Sequence, residues 1–125
     1  MSSFAFDSGG AVSSATQAAE TIIVGDAGAP AFDSGWIDSG DVDSDLVSFV
    51  IVNSVVYLMG VAAGGIAGTN IFTLPSGYRP PKKRVFPCVS NGAFGVVSIL
   101  ATGEVEVTVG NILGVNLSGV SFVSV

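Results

Sequence analysis

The sequence predicts an all-β fold, an antiparallel β-sandwich or jelly-roll-like head preceded by an extended N-terminal arm. Three observations carry that expectation. From residue 46 onward, short runs rich in Val, Ile and Phe recur between turn signals, and no long helix interrupts them. Asn53-Ser54 and Asn91-Gly92 each join two such runs, as the tight turn of a hairpin does. Finally, hydrophobic residues make up 49% of the chain and charged residues only 11%, against about 25% charged in an ordinary soluble domain. A single small domain has too much surface to hide that much apolar material by itself. Either it enters a membrane or copies of the chain bury apolar surface against one another.

In chain order, residues 1–35 are rich in Gly, Ser and Ala and read as an attachment arm, leaving 36–125 as the head. Within the arm, residues 14–20 suit a short helix and 21–24 a short strand. Ala5-Phe-Asp-Ser-Gly9 recurs as Ala31-Phe-Asp-Ser-Gly35. The repeat reads in two ways. It supplies two equivalent docking contacts, with Phe6 and Phe32 as apolar anchors beside Asp7 and Asp33, or it is a coincidence of low-complexity sequence.

Residues 46–52 and 55–61 are β-branched runs around Asn53-Ser54, and both are apolar on both faces, which in an antiparallel sheet calls for a neighbouring subunit. Residues 62–70 read as a Gly/Ala loop and 71–74 as a short strand. A long loop follows over 75–84, its φ angles fixed at three prolines. Residues 85–89 and 94–100 flank the Asn91-Gly92 turn. Over 104–109, Glu104 and Glu106 alternate with Val105, Val107 and Val109, the mark of a half-buried strand. Gly110-Asn111 and Ser118-Gly119 punctuate two last strands, making about eight in all.

Charge is unevenly placed. Eight of the ten acids precede residue 46, while all four cations, Arg79, Lys82, Lys83 and Arg84, fall within six positions, and the net charge is −6. That balance argues against nucleic-acid binding, and the basic loop reads instead as a contact for a partner or a neighbouring subunit, or as a solvated loop. The run free of charge between Asp45 and Arg79 is long enough for a membrane-spanning helix, but its glycines and its Val and Ile content favour strands, so no membrane insertion is expected. The N-terminus lacks the basic start of a signal peptide. Cys88 is the only cysteine, so no intrachain disulfide forms, and its apolar neighbours make it a buried small hydrophobe.

Catalysis finds little support. The chain has no histidine, the commonest general base, and Glu104 and Glu106 share one strand face as an ordinary solvated surface does. No enzymatic activity and no cofactor are expected. Asp38, Asp41, Asp43 and Asp45 alternate like calcium ligands, yet Leu46 and Val52 stand where an EF-hand needs Gly and Glu. An acidic linker is the default, beside a looser calcium site. Trp36, Tyr57 and Tyr78 are the aromatics expected to touch a ligand such as a host-surface glycan.

One motif carries a resemblance. Leu74-Pro-Ser-Gly-Tyr-Arg-Pro80, followed by a short strand, the Asn91-Gly92 turn and a glycine-punctuated meander, resembles the β-sandwich head domains of bacteriophage fibre and appendage proteins. The resemblance extends over residues 36–125. It implies a homotrimer, made in the host cytoplasm and carried on the virion among other virion proteins. From the length of arm and head, the role expected first is a non-enzymatic capsid decoration or head-fibre protein anchored by its arm. The alternative is the receptor- or glycan-binding tip of a tail fibre.

Overall fold

A computed structural model of the chain describes residues 20–125. Those residues are all-β. They form eleven strands: β1 (Ile22–Ile23), β2 (Ile37–Asp38), β3 (Ser48–Val52), β4 (Val55–Met59), β5 (Val61–Ala63), β6 (Asn70–Thr73), β7 (Arg84–Ser90), β8 (Ala93–Ile99), β9 (Glu104–Val109), β10 (Val115–Asn116) and β11 (Ser121–Val123). All strand pairing among them is antiparallel. Two four-stranded sheets, ordered β6-β9-β8-β7 and β11-β4-β3-β1, are joined by a three-stranded one, β10-β5-β2. Among the described residues no helix is long and apolar enough to cross a membrane.

Both expected hairpins form, for the reason the sequence offered. Asn53 and Ser54 have φ of 50° and 68°, and Asn91 and Gly92 have 48° and 79°. Paired positive φ gives a two-residue turn whose twist matches that of the strands. The registers follow directly, with Val52 opposite Val55 and Ser90 opposite Ala93.

The two four-stranded sheets pack face to face. Phe49 of β3 stacks on Phe72 of β6 with ring centroids 5.8 Å apart, and Phe86 of β7 meets Phe122 of β11 at 6.5 Å. Leu58, Ile71, Val97, Ile99, Val105 and Val107 fill the space between them and are fully buried. Each such side chain contributes roughly 1.5–3 kcal/mol through removal from water.

Three sequence expectations need correction. The run 55–61 is not one strand, because Gly60 turns the chain between β4 and β5. Its φ is 97°, and a Cβ there would sit 2.6 Å from the Leu46 carbonyl oxygen and the Val47 nitrogen, so only glycine fits. The 62–70 loop begins as the end of β5, and β2 was not foreseen. These strands are too short to show a period, and pairing to each other holds them. The arm also gives up its C-terminal part to the head. Ile22 and Ile23 pair with Phe49 and Ser48, Val24 donates its N–H to the Val47 carbonyl at 2.9 Å, and Val24 is buried. The proposed helix over 14–20 lies almost entirely outside the described residues.

The apolar reading of β3 and β4 on both faces is realised in part. One face, with Phe49, Val56 and Leu58, is core. The other presents Val50, Val52, Val55, Tyr57 and Met59, with Val123 beside them on β11, half-buried or exposed and carrying no charge. β7 is an edge strand with Pro87 at its centre, opposite Val96, and a proline fits an antiparallel ladder only at such an edge.

Candidate functional site

The residues singled out by sequence fall into separate places. Phe6 and Asp7 lie outside the described residues. Phe32 and Asp33, the second copy of that motif, are built into the fold. Phe32 is half-buried against the core. The Asp33 N–H donates to the Ile71 carbonyl at 2.8 Å, while the Asp33 carbonyl accepts from the Trp36 N–H at 3.0 Å. Phe32 is thus half-buried against the core, while the other copy of the motif lies outside the described residues.

Trp36 is corrected. It was expected as an exposed aromatic and is 1% exposed, its indole N–H donating to the Thr69 hydroxyl at 3.0 Å. An indole is large enough that core space claims it when its polar edge finds a partner. Tyr78 is half-buried, edge-on to Phe49 at 5.1 Å. Tyr57 is 43% exposed, on the uncharged outer face of β4.

The Leu74–Pro80 motif is a staple. Leu74 and Pro80 are buried, and the Tyr78 N–H donates to the Pro75 carbonyl at 3.1 Å across a turn with Gly77 at φ 94°. Arg79 folds back, its Nε donating to the Leu74 carbonyl at 2.8 Å. Arg79 therefore separates from Lys82, Lys83 and Arg84, which are exposed. Its charge also acts on Glu104, whose carboxyl is held below the usual range first by the Thr102 hydroxyl, then by its own backbone N–H and by Arg79. Burial raises the Cys88 thiol above its ordinary value.

The acidic run 38–45 is a folded loop rather than a linker. Asp38 accepts from the Gly40 and Val47 N–H groups, both at 3.0 Å. Asp41 accepts from the Asp43 N–H and the Ser44 hydroxyl, again at 3.0 Å. These short-range bonds are why Asp and Ser favour turns. Among the described residues no three carboxylates or thiols converge as a metal site requires.

That loop forms one wall of an open cleft of about 500 Å³. Its polar lining residues are Ser39, Asp41, Ser44, Asn91 and Asn116, and its apolar ones are Val61, Val89 and Leu113. The far side is fixed from below by Ser90, which is 1% exposed. Its hydroxyl accepts from the Asn111 N–H and donates to the Gly114 carbonyl, both at 2.7 Å. The Asn111 side chain in turn accepts the Leu113 N–H at 2.8 Å. Beside the cleft stands Phe94, directly opposite Val89 in the β7–β8 ladder and 70% exposed. Sequence reasoning passed over Phe94. Its signal was available in the strand alternation next to Asn91-Gly92, where Gly95 and Val97 take the inner positions.

No protein-family model matches this sequence, and no curated protein matches it significantly. A solved phage protein shares the fold. The chain is similar to the crystal structure of the receptor binding protein (gp15) of Listeria phage PSA, with a TM-score of 0.65 and 9% sequence identity. The match covers 89% of this chain and 68% of that one. At so low an identity the likeness is one of fold, and it agrees with the head-domain architecture that the sequence resembled.

Proposed function

We propose that this chain is a non-enzymatic bacteriophage virion protein whose β-sandwich head recognises the host surface. The observation that carries the reading is the fold shared with a phage receptor binding protein over nearly the whole chain. The cleft and the exposed Phe94 beside it supply a recognition surface that such a role needs.

The head works as a homotrimer in this reading. Large uncharged apolar surfaces on a small domain mark contacts between proteins, and the outer face of β3, β4 and β11 is one. Covering Val52, Tyr57 and Val123, which are 42%, 43% and 58% exposed, relieves the apolar excess of the composition. Lys82, Lys83 and Arg84 remain available for acidic patches on other virion proteins.

Capsid decoration is the second reading. The arm favours it, but with Phe32 packed into the head only the first motif, at Phe6 and Asp7, is left as an anchor. Immunogold electron microscopy of the parent particles with antibody to the purified protein separates the two. Label at the tail end is the expected result. Label spread over the capsid would replace host recognition with decoration, and unlabelled particles would remove both.

A further inference from the structure

The head has two poles of opposite charge along its strands. β7 runs from Arg84 to Ser90, and the Asn91-Gly92 turn beyond it borders the cleft. The basic loop therefore lies at the far end of that strand from the cleft. The acidic loop belongs to the cleft pole, since Asp41 lines the cleft and Asp38 accepts from the Val47 N–H, just ahead of β3. Five residues lead from Arg84 to Val89, which at ~3.3 Å each is about 16 Å along a strand. That is twice the screening length of about 8 Å at physiological salt, so the acids of one pole do little to neutralise the cations of the other.

The path of the chain marks the same pole. The Ser124 N–H donates to the Ser54 carbonyl at 2.8 Å and the Val125 N–H to the Arg79 carbonyl at 3.0 Å. The Asn53-Ser54 turn and the proline-framed loop are thus neighbours. β1 is antiparallel to β3, with Ile22 opposite Phe49 and Ile23 opposite Ser48. Because β3 runs toward Asn53, the chain arrives at β1 from the pole that carries the cations.

Lys82, Lys83 and Arg84 are exposed and consecutive. Like charges so close repel one another, a cost that an anionic partner removes. Pro80 and Pro81 precede them and Arg79 is tied to the Leu74 carbonyl, so the loop is held before a partner arrives, which lowers the ordering cost of binding. A long polyanion such as nucleic acid would also meet the field of a chain with net charge −6. A local patch of carboxylates on a folded protein matches three cations without that penalty.

We propose that the pole carrying Lys82, Lys83 and Arg84 faces the particle and seats on a carboxylate-rich patch of another virion protein, with the cleft pole pointing outward. The inference rests on the virion reading above and holds for tail and capsid alike. It adds the docking surface, the chemistry of its partner and the orientation of the head.

Lys82 and Lys83 are the only lysines of the chain, so amine chemistry reads this surface directly. Intact parent particles and the purified full chain are acetylated side by side and compared by mass spectrometry. Both lysines should react severalfold more slowly on the particle. In about 1 M salt, where the screening length falls to about 3 Å, that difference should vanish. A zero-length carbodiimide should link the same lysines, on the particle, to Asp or Glu of a different virion protein. Lysines equally reactive in both preparations at physiological salt, protection that survives the high salt, or links only to carboxylates of this chain would each overturn the proposal. Particles that lack the protein would reject the virion reading itself, a result distinct from unprotected lysines on particles that carry it.

Discussion

Gly65→Ala should cost this protein a substantial part of its stability, and Trp36 should report it. A Cβ built on Gly65 lies 2.1–2.3 Å from three ring atoms of Trp36, far inside contact distance. Trp36 is 1% exposed and cannot swing outward without opening the core. Overpacking of this kind costs about 1–3 kcal/mol. If the indole shifts off the Thr69 hydroxyl, a lost hydrogen bond adds about 1 kcal/mol. The expected loss is then about 2–4 kcal/mol, against a total stability of about 5–15 kcal/mol for a typical domain. Urea unfolding followed by Trp36 fluorescence is a direct assay, since this is the only tryptophan. The midpoint should fall by about 1 M or more, with protomer concentration held fixed because association shifts apparent stability. The folded emission should also move, as the indole loses its packing. Gly68→Ala is the control. Its φ is +80° and nothing lies within 4 Å of the added carbon, so it carries only the left-handed backbone cost of about 1–2 kcal/mol and leaves the emission alone. A Gly65→Ala protein with wild-type midpoint and emission would refute the packing described around Trp36.

Further tests address other contacts. Ser90→Ala strips partners from the Asn111 N–H and the Gly114 carbonyl and should cost about 1–3 kcal/mol, read as a lowered melting temperature. Arg79→Leu removes the bond to the Leu74 carbonyl and should cost about 1.5–3 kcal/mol, whereas Lys82→Leu, on the exposed part of the loop, should leave melting unchanged; equal effects would contradict the staple. Glu104 is held below the usual carboxylate range in the folded state, so its contribution is present above about pH 4.3 and fades as pH falls through the folded value. Glu104→Gln should therefore lower the melting temperature slightly at pH 7 and not at pH 2–3, and a deficit that grows with acid would reverse that sign. Burial raises the Cys88 thiol, so at pH 7 it should react with a maleimide more slowly in the folded protein than in urea. Equal rates would place the sulfur in solvent.

Strand content and hairpin turns were legible because they are local. Asn53-Ser54 and Asn91-Gly92 state their φ preferences in two letters, and the alternation over Glu104–Val107 declares its buried side, while Val109, expected inside, lies beyond a register shift and is 48% exposed. The short strands were not legible, since β2, β5 and β10 exist only through pairing in one small sheet. Trp36 shows the same limit for the site. An aromatic after a glycine-rich arm looks exposed in sequence, and only the arrival of Gly65 beneath it and Thr69 at its nitrogen puts it inside. The packing of Phe32 against Gly25 and the bond from the Asp33 N–H to the Ile71 carbonyl were hidden in the same way, in a loop or far along the chain. The cleft gathers Asp41, Asn91 and Asn116 from three separate segments, a conjunction no spacing rule reveals.

Pro87 has a consequence for how the head behaves in a crowd. A seven-residue edge such as β7, apolar at Val85 and Val89, would otherwise be a template on which another chain adds a strand. Proline interrupts that row of donors midway, so the invading strand finds no continuous ladder. The surface next to the cleft can then stay greasy without seeding amyloid-like stacks, even where many heads stand close together.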